Sequence, residues 1–392
     1  MTRNALVTLV FTSILSAQTA TGPDQTKTGA GNAQAAAIAL NSPMVQSSYR
    51  FLQTQTNRIQ DYYTRAITID AITNPGVCVQ SRANLTAAQK SAILQNLIDR
   101  QLINPPDAAS INGGALAGVF PPLVNDGTAC PTLPQPIYSA PGSTFGGHHG
   151  FPGGLMVHET ANSQHSMSLT NDYRRVYGTS SSGSPVAAAQ DVPIDDPDAD
   201  VFISEDLMVA APLWHDWAKP IVFQWNADGS EFSELNFGGN GSTDADGQPG
   251  DSRTGAHHII TIGEMMTRLL SPELVITMAC AHNTPTGGAE YKVVNWLRAA
   301  AILAQIDPVA RGYLVQDTAG HLRLPALRSL GSIDLLQGSS LSHTNTLAEY
   351  VLHNLSDSDF TLTGEAMTET LSILAAVAPQ FGANPSDTAK LQ

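Results

Sequence analysis

Apolar positions recur at helical spacing through most of this chain. From Pro43, the residues Tyr49, Leu52, Ile59, Tyr63, Ile67 and Ile69 form an approximate stripe, which Asn74-Pro75-Gly76 breaks. Thr86 and Gln89 have the spacing of a capping box, so a second helix is expected through Ile93, Leu94, Leu97 and Ile98, ending before Pro105-Pro106. The stretch 111–144 is rich in Pro and Gly and is expected to be ordered, irregular chain. Leu155, Met156, Met167, Leu169, Tyr173 and Val176 predict a long helix over 153–177. A polar, acidic loop at 180–197 follows, then a helix over 204–219 with Ser204 as its N-cap. The period then changes. Ile221 to Trp225 is β-prone, Asp228-Gly229 is a turn signal and Phe232 to Phe237 alternates, so the pattern predicts one small hairpin. Further helices are expected at about 256–270, 272–282, 288–306, 344–355 and 364–378. The fold class read from this order is all-α with an inserted hairpin.

Both ends of the polarity scale refine that picture. Residues 5–15 are apolar and uncharged, Arg3 precedes them and Ser16-Ala17-Gln18 follows. This is the pattern of a signal peptide over 1–17, which implies a periplasmic or secreted protein. The run is too short to be a stable membrane span. Residues 18–42 are expected to be a flexible leader, 43–144 a helical and irregular segment packed on the core, and 145–392 a helical domain that includes the C-terminal helices. Only 14% of residues are charged and the formal net charge is −15. Phosphate-backbone binding needs clustered cations, so duplex nucleic acid is excluded as the expected partner. Of three cysteines, Cys78 and Cys130 lie in loop sequence and could pair in an oxidising compartment, whereas Cys280 lies inside an apolar run and reads as a buried thiol.

Chemistry concentrates in the histidines. His148-His149 precede Gly153-Gly154-Leu155-Met156-Val157-His158; then come His215-Asp216-Trp217-Ala218-Lys219, His257-His258, His282 and Asp307. One histidine on an apolar helix is usually a hydrogen-bonded core residue. Several helices each bringing one are harder to explain that way, since each buried imidazole needs a polar partner. Ligands on facing helices are how helical proteins build metal sites, and His with carboxylate suits Fe, Mn, Zn, Co or Ni.

The ordered pattern resembles the HD-domain superfamily of metal-dependent phosphohydrolases, most closely the branch with a His-His pair, a Gly-Gly-Leu-x-x-His phrase and a His-Asp-x-x-Lys phrase. The resemblance covers roughly 145–310. It implies a helical bundle and one or two divalent transition-metal ions. Metal ligands would be His158, His215, Asp216, His258 (or His257 in the alternative register), His282 and Asp307. It also implies catalytic roles for Asp216, Lys219, His148 and His149, and a small phosphorylated substrate such as a nucleotide or other phosphomonoester. Lys219 either neutralises phosphate charge or bridges to a carboxylate such as Glu159. His148 and His149 either protonate the leaving group or cap the Gly-rich loop. Arg253 is either a phosphate clamp or a solvated surface residue. Two departures stand out. Relatives with a full two-metal site often carry His-His where this chain has His282-Asn283, and exoribonuclease relatives carry an N-terminal β-barrel that has no counterpart in the pattern here. His165 is expected to be a core or supporting histidine, and His321, His343 and His353 structural or surface residues. The competing readings are a di-iron HD-type oxygenase and a non-catalytic metal-binding protein.

Overall fold

The computed structural model describes residues 27–79, 84–177, 203–229, 232–237, 251–328 and 346–386. The expected signal peptide and His343 lie outside them. The architecture is predominantly helical with two small antiparallel hairpins, as the hydrophobic period predicts. No helix among the described residues is long and apolar enough to cross a membrane.

The organising element is α7, Glu205–His215. Ser204 caps it by accepting from the Leu207 N–H, and Glu205 and Asp206 in the first turn suit the positive end of the helix dipole. From Leu207 onward every residue of α7 is buried, which is the composition of a helix surrounded on all sides. It packs against α3 (Tyr62–Thr73), α6 (Gly154–Tyr177), α9 (Ala256–Thr267), α10 (Pro272–Ala279) and α12 (Ala348–Ser356). Two buried indoles fix its end. The Trp214 N–H donates to Thr68 Oγ1 at 3.0 Å, and the Trp217 N–H donates to the Ala71 carbonyl at 2.9 Å. The residues between them, His215 and Asp216, are therefore held by large side chains whose polar atoms are satisfied.

The N-terminal part packs on this core. Helix α2 (Pro43–Gln55) lies on α6, and α4 (Ala87–Asp99) lies on α11 (Glu290–Ala304). A disulfide joins Cys78 to Cys130, and Cys280 is a buried free thiol. Thr86 and Gln89 form the expected capping box.

Three expectations are corrected. Asn32–Leu40, inside the stretch read as a flexible leader, is a helix, α1, packed near Ile137–Ser139. Its alanine-rich sequence has high helix propensity, and Asn32 anchors it by donating to the Pro134 carbonyl and accepting from the Trp225 N–H. Ile221 and Val222 are not in a strand but in a short helix, α8 (Lys219–Val222), with Pro220 in its first turn. Gln135 donates to the Pro220 and Phe223 carbonyls, so burial and a side-chain cap override the local β preference. The observed hairpin instead pairs β1 (Asn236–Phe237) with β2 (Thr254–Gly255). A second hairpin, Val315–Gln316 with Leu322–Arg323, had no signal strong enough to be read.

Candidate metal centre

Six helices and one glycine-rich loop deliver the cluster. His158 comes from the first turns of α6, and His215 is the last residue of α7 with Asp216 at its C-cap. His257 opens α9, and His282 follows α10 by three residues. Asp357 is the C-cap of α12, and Asp359 is the N-cap of α13, Phe360–Val377.

The Gly153-Gly154 phrase has a steric cause. Gly153 has φ +90, and a Cβ there would meet Val45 at 2.5 Å. A Cβ on Gly154 would meet the His149 carbonyl oxygen at 1.8 Å. Only glycines let the loop cross the start of α6 this closely. His149 itself has φ +52, a left-handed conformation that is uncommon outside glycine. The crossing sets the His148 ring 4.8 Å and the His149 ring 5.5 Å from the His158 ring.

At the centre lies Asp216, fully buried. Its Oδ2 is 3.4 Å from His158 Nε2, and its Oδ1 is 3.3 Å from His257 Nε2 and 3.6 Å from His215 Nε2. Asp357 completes one side, with Oδ1 3.1 Å from His158 Nε2 and Oδ2 3.1 Å from His215 Nε2. His282 completes the other: ligand atoms of Asp216, His257 and His282 lie within 4.8 Å of one another, as do those of His158, Glu159, His215 and Asp216. The Lys219 ammonium contacts Asp216 and the Gly142 carbonyl.

Whether this set suits a metal ion can be tested on its hydrogen bonding. Asp216 Oδ1, Asp357 Oδ1 and His257 Nε2 are buried without a hydrogen-bond partner among the described residues, although oxygens and nitrogens approach to 3.1–3.3 Å, while Asp216 Oδ2 is met by the Lys219 ammonium. Close atoms that are not aimed at each other fit ligands arranged around a common point. Burying polar groups this way is costly unless something satisfies them. The opposite ring nitrogens are partnered. His158 Nδ1 contacts Asp359 Oδ1 at 2.9 Å, His257 Nδ1 contacts Glu234 at 2.8 Å, and His282 Nδ1 contacts Thr254 Oγ1 at 2.8 Å. Such outer contacts fix the tautomer and turn Nε2 toward the metal. The donor set therefore fits one or two divalent ions: His158, His215, Asp216 and Asp357 would hold one, and Asp216, His257 and His282 the other.

Electrostatics agree. Burial alone would push the Asp216 carboxyl up, but the charges of His215 and Lys219 and the contact from His158 hold it well below its usual range. Asp357 is held low against burial by His215 and His158. Burial would depress His215, yet Asp216 and Asp357 raise it to about 9. Protons thus occupy this acidic pocket in the free protein, and an ion would displace them. Burial lowers His148 to about 3, His149 to about 4 and His353 to about 3, so these rings are neutral at pH 7. Burial also raises Glu159 to about 8.

The sequence-derived candidates divide as follows. His158, His215, Asp216, His282, Lys219, His148 and His149 are brought together. His257, the alternative register, faces Asp216; His258 does not. His258 Nε2 contacts the Ala279 carbonyl at 3.1 Å and its ring stacks on His282 at 4.2 Å, so it supports His282. Successive residues on a helix point about 100° apart, and only one of the pair can face the cluster. Asp307 is elsewhere: it is exposed in the turn after α11, where its Oδ1 accepts from the Val309 and Ala310 N–H groups. Asp357 takes the place expected for it. Lys219 pairs with Asp216 rather than Glu159, whose oxygens have no hydrogen-bond partner among the described residues. Arg253 is exposed and doubly bonded to Asp251. His353, read as structural or surface, is fully buried with its ring 5.6 Å from that of His215. His165 meets the Ser356 carbonyl and His321 the Asp317 carboxylate, both outside the cluster.

Sequence reading missed Asp357, Asp359 and Glu234. The repeat of an Asp directly after an apolar helix, at Asp216 and again at Asp357, was the available signal. No family model, no curated protein and no solved structure matches this chain.

Proposed function

We propose that this protein is an exported HD-type metal-dependent phosphohydrolase that cleaves a small phosphoester. The observation that carries the reading is Asp216, a buried carboxylate with His158 at one oxygen and His215 and His257 at the other. Bound ions at such a centre would polarise a phosphoryl oxygen and lower the pKa of a water to about 7. The chain's own contribution is positioning. Lys219 holds Asp216 against the Gly142 carbonyl, and Glu234, Thr254 and Asp359 orient three imidazoles. His148, neutral and half-buried at the edge of the cluster, would meet the substrate as a hydrogen-bonding group. The Cys78–Cys130 disulfide supports export, because such bonds persist in oxidising compartments.

A di-iron oxygenase uses the same kind of ligand set, so metal identity and product separate the two. Elemental analysis of the purified protein, beside a phosphomonoesterase and phosphodiesterase panel with added Mn, Zn, Co, Ni or Fe(II), tests the reading. Phosphate release with a redox-inert metal supports it. Bound iron with an oxygen-dependent product and no phosphate release supports the oxygenase instead. Absence of any bound or bindable transition metal sinks both.

A further inference from the structure

Charge around the centre restricts the substrate more narrowly than the ligand set does. Among the described residues that touch the cluster, Lys219 is the one Lys or Arg, and it is already held by Asp216 and Gly142. Of the chain's 19 Lys and Arg, the stretches 178–202, 238–250 and 329–345 contain none, and Arg3, Arg82 and Lys390 lie outside the described residues. Arg174 and Arg175 begin about 24 Å along α6 from His158 at helical rise. Five carboxylates lie at the ligands or directly beside or behind them: Asp216, Asp357, Glu159, Asp359 and Glu234. Even against two divalent ions and one ammonium, they leave a net charge of about zero. Bound ions would themselves take one phosphate, and no further cation is left for a second. Polyphosphate sites hold the outer phosphates with Arg or Lys.

The surroundings are neutral and polar instead. Phe360 is 49% exposed with its ring 5.9 Å from that of His148. Asn283, next to His282, has a buried Oδ1 without a hydrogen-bond partner among the described residues, an acceptor that a hydroxyl would satisfy. We infer that the centre takes the monophosphate ester of a neutral, hydroxylated group, such as a sugar or nucleoside, and discriminates against di- and triphosphates. This inference rests on the phosphohydrolase reading.

The test uses the metal-loaded full chain, with metal content checked before and after. Titration calorimetry compares inorganic phosphate with pyrophosphate, and kcat/KM is measured for AMP, ADP and ATP, which share one neutral nucleoside. The expected result is at least tenfold tighter binding of phosphate, at least tenfold higher kcat/KM for AMP, and a narrowed gap in Phe360→Arg. Pyrophosphate binding as tightly as phosphate, or ADP cleaved as well as AMP, overturns the inference while leaving the hydrolase reading standing. Selective phosphate binding with none of the three nucleotides, and no other phosphoester, cleaved supports the charge argument and sinks the hydrolase reading.

Discussion

Replacing Asp357 by Asn removes a negative charge that lies 3.1 Å from both His158 Nε2 and His215 Nε2. In the metal-free protein, both imidazoles are held protonated against burial partly by this carboxylate. Breaking a buried charged network by removing one partner costs about 3–5 kcal/mol. His215 can shed its proton in response, so the lower end, about 3 kcal/mol, is expected. With metal, the loss of an anionic ligand acts on affinity directly. Losing an outer-shell partner already costs about 10–100-fold, and a ligand should exceed that. Asp307→Asn is the matched control. Its Oδ1 caps an exposed turn, and Asn is an equally good acceptor there, so stability should move by less than about 0.5 kcal/mol. The assay is metal stoichiometry by elemental analysis after dialysis, with a metal titration and a urea melt for each variant. Asp357→Asn should lose at least one ion and Asp307→Asn none. If Asp307→Asn empties the site while Asp357→Asn keeps it full, the ligand assignment is refuted.

Glu234→Gln should keep the fold but weaken metal binding by about 10–100-fold, because the His257 ring loses its anionic partner; an unchanged titration would show that Glu234 does not act on the site. Metal uptake at pH 7 should release protons, since His215, raised to about 9, carries a proton that ligation must remove. Apparent affinity should therefore rise with pH toward about 9 and fall as the solution is acidified, and calorimetric heats should differ between buffers of different ionisation enthalpy; buffer-independent heats contradict this. Lys219→Met should raise the pKa of Asp216 and lower turnover more than metal content, whereas equal loss of both assigns Lys219 to holding the ion. Reducing the Cys78–Cys130 disulfide, which spans 52 residues, should lower stability by about 4 kcal/mol on the chain-entropy model, read from denaturant midpoints.

Much of the fold was legible because its signals are local. The Thr86–Gln89 capping box, the Ser204 cap and the long apolar period of α6 and α11 each sit within a few residues, and each element formed where they pointed. His158 and His215-Asp216 were legible for a related reason: short phrases fix their geometry, the double glycine through its crossing and the Trp-His-Asp-Trp run through its anchored indoles. What failed depends on tertiary placement. Ile221 and Val222 look like a strand until Gln135 caps them from 85 residues away in sequence. His257 and His258 are indistinguishable by type, and only the rotation of α9 against α7 decides which faces Asp216.

Asp357 is the instructive case, because a physical rule pointed to it. The negative end of a helix dipole is its C-terminus, so a carboxylate there is destabilised, by about 0.3–1 kcal/mol when exposed and more when buried. Asp216 ends α7 and Asp357 ends α12, both buried and both against that preference. Asp307, by contrast, sits two residues past the left-handed Gln305 that closes α11, where its carboxylate serves a turn and meets no such penalty. A buried carboxylate at a helix C-terminus persists only where positive charge offsets both the dipole and the desolvation. Lys219 supplies one such charge, and in the metal-free protein the protonated His158 and His215 supply the rest. Two carboxylates set against their helix dipoles and converging with four imidazoles argue for a divalent ion, which would take over the charge those protons supply, more directly than the histidine count does.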